Sequence, residues 1–74
     1  MTEREALRAT IGVRVKDTRF NETGTLVDRD VSTQCHRTTL VALSVKLDEP
    51  PWLGEIHYWI NNKSGRKIRD LEFM

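Results

Sequence analysis

Cys35 and His36 are adjacent, and a second histidine, His57, lies further along the chain. A cysteine is a useful nucleophile at neutral pH only where a base or a positive field holds it as thiolate. Neighbours on an extended segment point in opposite directions, so His36 is badly placed to activate Cys35, and only a folded-back loop would bring His57 to it. A structural zinc site takes four ligands, usually cysteine and histidine. Three such residues are present, and Asp28 or Asp30 would have to complete the set. Ser64-Gly65-Arg66-Lys67 lacks the Gly-x-x-x-x-Gly-Lys-Ser/Thr frame of a phosphate loop and reads as a hairpin turn. The expectation is a chain with no catalytic set, no metal and no cofactor.

Two groups of residues suit binding instead. Lys63, Arg66, Lys67 and Arg69 fall in a stretch without an acid, and Arg14 and Lys16 are expected to project from the first strand. If first and last strands are neighbours, these six cations form one patch suited to nucleic-acid phosphates or an acidic protein. Asp70 and Glu72 adjoin it. Across the whole chain 12 Lys and Arg meet 11 Asp and Glu, for a net charge of +1, which excludes a globally basic binder. The second group is aromatic. Trp52 follows two prolines at a loop tip, and Trp59 alternates with Tyr58 and Ile60. With Tyr58 inward, His57 and Trp59 face out beside Leu40 and Ala42 of the neighbouring strand. An outward apolar patch of this kind marks a contact surface. Exchange of inside and outside at a bulge would instead bury Trp59.

The elements that must position these residues are β-strands. Val41, Leu43, Val45 and Leu47 fall two apart, as do Ile56, Tyr58 and Ile60, around the turn-forming run Asp48–Gly54. That spacing predicts a hairpin of strands 39–47 and 55–60, which Pro50 and Pro51 terminate. Ile11, Val13 and Val15 predict a first strand, and Thr25-Leu26-Val27 a second that fades into a polar connection at 31–37. Between them, 17–24 reads as a loop with Phe20 as a lid. After the turn-rich run 61–65, a last strand spans 66–73. In it Ile68 and Leu71 are three apart but Leu71 and Phe73 two apart, so a bulge or one helical turn lies between. Thr2 and Glu5 have capping-box spacing, so residues 1–10 form a short helix or a tail. The expected core is Val13, Val15, Val27, Val41, Leu43, Val45, Ile56, Tyr58, Ile60 and Leu71, with Phe20 and Phe73 also read as buried.

At 74 residues there is room for one modest core, since so short a chain buries only about 60% of its unfolded surface. One cysteine allows no internal disulfide. No charged-then-apolar leader opens the chain and no run is long enough to span a membrane, so a cytoplasmic protein with no membrane contact is expected. Five short antiparallel strands lose their open edges by curling into a barrel. Gly12-Val13-Arg14-Val15 followed by Gly24-Thr25-Leu26-Val27 resembles the opening of SH3-like barrels of the Tudor and ribosomal-type groups. The resemblance covers residues 11–73 and implies an all-β, five-stranded antiparallel SH3-like barrel, with the domain expected over residues 11–74. The expected function is a non-catalytic adaptor or regulatory module that binds another protein, or itself, through Trp52, His57, Trp59 and Leu40. The alternatives are a nucleic-acid-binding barrel using Arg14, Lys16, Lys63, Arg66, Lys67 and Arg69, and an oligomeric enzyme with a shared pore. The small plasmid-borne dihydrofolate reductases are enzymes of that last kind, but their Val-Gln-Ile-Tyr strand motif is not matched by Glu55-Ile56-His57-Tyr58.

Overall fold

Two β-bulges decide which side chains of this chain face inward. The structure is a computed structural model and describes residues 1–60 and 65–74. In order come α1 (Glu3–Arg8), β1 (Arg14–Asp17), β2 (Glu22–Gln34), β3 (Arg37–Leu47), β4 (Glu55–Trp59), β5 (Arg66–Lys67), a 3-10 turn at Ile68–Asp70, and β6 (Leu71–Phe73). The strands form one sheet in the order β5-β4-β3-β2-β1-β6, curled into a small, nearly closed barrel that matches an SH3-like fold at a coarse level. All neighbours are antiparallel except β4 and β5.

The expected five antiparallel strands are thus corrected to six in a mixed sheet. The 3-10 turn explains the extra strand. It brings Ile68 and Leu71, three residues apart, into the same core and breaks the last strand in two. The first piece runs parallel to β4, and the second crosses to the far edge beside β1. Of the expected turn at 61–65, residues 61–64 lie outside the described residues.

Between β2 and β3 the register steps from Leu26 opposite Val45 to Asp28 opposite Ser44, so Val27 is an extra residue. It steps again from Asp30 opposite Ala42 to Val31 opposite Leu40, which makes Val41 the extra residue on β3. Each insertion shifts the period-two pattern by one. Leu26, Leu43, Val45 and Leu47 therefore fill the core, and Leu40 turns inward with them at 3% exposure. Val27 and Val41, expected inside, are only partly buried. Val15, Leu43, Val45, Tyr58 and Leu71 are buried as expected, with Val13, Ile56 and Ile60 packed against them. Phe20 and Phe73 correct the core reading: both are exposed, Phe20 by 47%. Gly24 lies where β2 crosses close to β3. A Cβ there would sit 2.6 Å from the Lys46 carbonyl oxygen, so the strands can approach only without a side chain.

The N-terminal segment is a docked helix. Thr2 Oγ1 accepts from the Glu5 amide at 3.2 Å, and Glu5 Oε1 accepts from the Thr2 amide at 2.9 Å, completing the capping box. Ala6 and Ala9 join the core. Arg29 Nη1 donates to the Ala6 and Ala9 carbonyls, each at 2.8 Å, placing a cation on the carbonyls that a helix end leaves without partners. The expected polar connection at 31–37 is instead the outer half of a long β2–β3 arm. Cys35 and His36 form its two-residue turn at positive φ of 50° and 64°.

Leu26→Ala is expected to destabilise the fold by about 2–5 kcal/mol, while Val27→Ala changes stability by about 1 kcal/mol or less. Urea denaturation of the two variants checks the bulge, and a larger loss at Val27 would contradict it.

Candidate functional site

The outward face of β3 and β4 is built from residues that alternate with the core. Ala42 pairs with Trp59, Ser44 with His57 and Lys46 with Glu55, between the buried Leu43, Val45 and Tyr58. Small residues on β3 form a floor beneath large partners on β4: Ala42 and Ser44 are buried although no other layer lies on this face among the described elements. The Ser44 hydroxyl and His57 Nδ1 share a hydrogen bond of 3.0 Å. The His57 and Trp59 ring centroids are 5.9 Å apart with a tilt of 54°. Trp59 is half-buried, and a Cβ at Gly65 would lie 3.5 Å from the indole, so this backbone packs directly on the ring.

Above this face stands the β3–β4 loop. The Leu53 amide donates to the Pro50 carbonyl at 3.1 Å, and Lys46 Nζ lies 3.5 Å from the Pro51 carbonyl. Held in this way, the loop carries Trp52 at 84% exposure beside Leu53 at 49%. Leu40 does not belong to the face, because the extra residue Val41 turns it into the core.

The six expected cations are divided among different tasks. Arg14 donates through both terminal nitrogens to Asp48, at 2.7 and 2.5 Å, and to Thr25 at 3.0 Å. Arg66 is tied into the barrel. Lys16 and Lys67 are partly buried, Arg69 is exposed on the 3-10 turn, and Lys63 lies outside the described residues.

The partner of Arg66 is Asp17, which the sequence reading missed. Asp17 is 1% exposed. Its Oδ2 accepts from the Tyr58 hydroxyl at 2.8 Å and from Arg66 Nη1 at 2.9 Å, and its Oδ1 accepts from the amides of Arg19 and Phe20 at 3.0 and 3.3 Å. Arg66 Nη2 reaches Glu22 at 3.3 Å, and the Phe20 ring covers the guanidinium at 4.3 Å, a cation over a π face. Phe20 is thus a lid on Arg66 and not on the barrel core. Burial, reinforced by the Asp17 carboxylate, pushes the Tyr58 phenol well above its ordinary range, while Arg66 pulls the other way. The signal for Asp17 was its place in the alternation Val13, Val15, Asp17, which puts it on the inward side.

Cys35 is exposed at the arm tip beside His36. Among the described residues no group of three or more His, Cys, Asp or Glu could hold a metal ion, and no helix is long and apolar enough to cross a membrane. No family model, curated protein or solved structure matches this chain.

Asp48 gives a pH test of the surface around the loop. The bidentate Arg14 guanidinium, and then the Thr23 hydroxyl, hold its carboxyl down at about 2, against an ordinary 3.8. A depressed carboxyl stabilises the fold above its unfolded value, and that contribution disappears as pH falls from 3.8 toward 2. Side-chain carboxyl NMR should show Asp48 titrating near the lower value, and Arg14→Gln should move it upward. An unchanged titration in that variant would remove Arg14 as the cause.

Proposed function

We propose that this chain is a non-catalytic binding module that recognises another protein through the Trp52 loop and the adjoining His57–Trp59 face. The observation that carries the reading is Trp52, whose indole is 84% exposed on a held loop. Leaving so large an apolar ring in water is unfavourable, and tryptophan is among the residues enriched at positions that dominate binding energy. A contact there loses little backbone entropy, because the loop is already held by the Leu53–Pro50 and Lys46–Pro51 contacts. His57 and Trp59 extend the surface with one exposed polar ring and one half-covered indole.

The nucleic-acid alternative draws less support. Two of its six cations, Arg14 and Arg66, are engaged with carboxylates, and phosphate affinity depends on cations available to displace counterions.

Affinity capture of a partner, followed by titration of the purified pair, tests the proposal. Trp52→Ala is expected to weaken the complex by about 30-fold, corresponding to about 2 kcal/mol, with the β-type circular dichroism unchanged. Trp59→Ala should weaken it as well. Equal affinity for wild type and both variants would sink the reading.

A further inference from the structure

The β2–β3 arm outruns the strands that flank it. β1 pairs with β2 only over Glu22–Thr25, followed by backbone bonds from the Gly12 amide to the Leu26 carbonyl and from the Leu26 amide to the Val13 carbonyl. Beyond Leu26 no strand lies along the outer edge of β2 among the described residues. An open edge is a row of backbone donors and acceptors waiting for a strand, and proteins normally blunt it with lysine, proline or a bulge. At the base of this arm the edge is guarded. The Arg29 amide is taken by the Asp28 side chain at 2.8 Å.

Farther out the guard ends. Amides alternate sides along a strand, so Val31 and Thr33 turn theirs to the same edge as Arg29. Val31-Ser32-Thr33-Gln34 contains no charge, proline or glycine, and Val31 is 42% exposed. A two-stranded ribbon with nothing on either face is marginal in water. The arm also carries no net charge, since Asp28 and Asp30 offset Arg29 and Arg37, so a polyanion is a poor occupant.

We propose that residues 28–34 of β2 pair antiparallel with the same segment of a second copy of the chain, about a two-fold axis at Val31. The two barrels then share one continuous sheet through their arms. A two-fold contact must be complementary to itself, and this edge is. In that register Asp28 stands opposite Gln34 of the partner subunit and Asp30 opposite Ser32 of the partner subunit, while Arg29 stands opposite Thr33 of the partner subunit and accepts that residue's amide on its carbonyl, its own amide keeping the bond to Asp28. No like charges oppose one another. Val31 meets its own copy, so the exposed apolar side chain of the arm is covered. Moving the axis to Ser32 would set Val31 against a threonine and shorten the ladder. The surface involved is separate from the Trp52 loop and the His57–Trp59 face.

Cross-linking of the full-length chain in a Cys35→Ser background tests the register. At the two-fold the Val31 Cα atoms stand about 5.5 Å apart, within the roughly 4.4–6.8 Å that a disulfide spans, whereas the two Thr33 Cα atoms stand about 14 Å apart. Val31→Cys should therefore form a disulfide-linked dimer under mild oxidation, and Thr33→Cys should not. In sedimentation equilibrium the wild type should dimerise. Val31→Pro removes a donor from the free edge without removing one from the ladder to β3, and it should weaken association by about tenfold through two lost hydrogen bonds. Trp59→Ala should leave the dimer intact. A wild-type chain monomeric up to about 1 mM, equal cross-linking at both positions, or dissociation by Trp59→Ala would overturn the proposal. If Val31→Pro fails to fold, the cysteine pair decides.

Discussion

A buried carboxylate holds this barrel to its shape. Removing a charge from water costs several kcal/mol even after relaxation, so Asp17 is tolerated only because four donors converge on it from the turn after β1, from β4 and from β5. Those donors come from segments distant in sequence, and Arg66 is 49 residues away. Their arrangement fixes where the short β5 meets β4 and where the chain then crosses to β1. Glu22 takes the second arm of Arg66 and brings the start of β2 into the same contact. The core of a 74-residue chain is modest, so a polar cluster at its margin carries an unusual share of the specification of the fold.

From this closure two kinds of surface follow. Where β3 and β4 lie within the barrel, their outward face is backed by a packed core, and its rings are held by cross-strand partners and by Gly65. From Asp30 to Thr39 the arm has no such backing among the described residues: its residues are all exposed, which marks a segment that opens at low free energy. A packed outward face within the barrel and a strand edge beyond it are thus found side by side, because β2 continues past the end of β1.

The strongest periodicities in the sequence were enough to find the β3–β4 hairpin, the inward Tyr58 and the split between Ile68 and Leu71. The capping box at Thr2 and Glu5 was legible because both partners lie within one turn. The bulges were not, because Val27 and Val41 are ordinary strand residues and an insertion leaves no mark on residue type. That failure sent Leu40 to the wrong side and put Val27 and Val41 in the core. Arg66 read as one of a run of cations, since sequence adjacency shows its neighbours and hides a partner across the barrel. The arm read as a connection because serine, threonine and glutamine suit loops as well as exposed strands, and Cys35-His36 is not a usual pair for positive φ. For the candidate face, Trp52, His57 and Trp59 were placed by alternation and by the prolines, whereas the bond from His57 to Ser44 depended on the register.

Native-state hydrogen exchange at the amides of Arg19 and Phe20 tests most directly whether Asp17 closes the fold. Both residues are exposed, and the carboxylate is the acceptor of both amides. If Asp17 is the closure, they exchange as slowly as the amides of Leu43 and Val45, opening only when the whole domain unfolds. Exchange as fast as that of the exposed Trp52 loop would show a turn that opens independently, and would contradict the account.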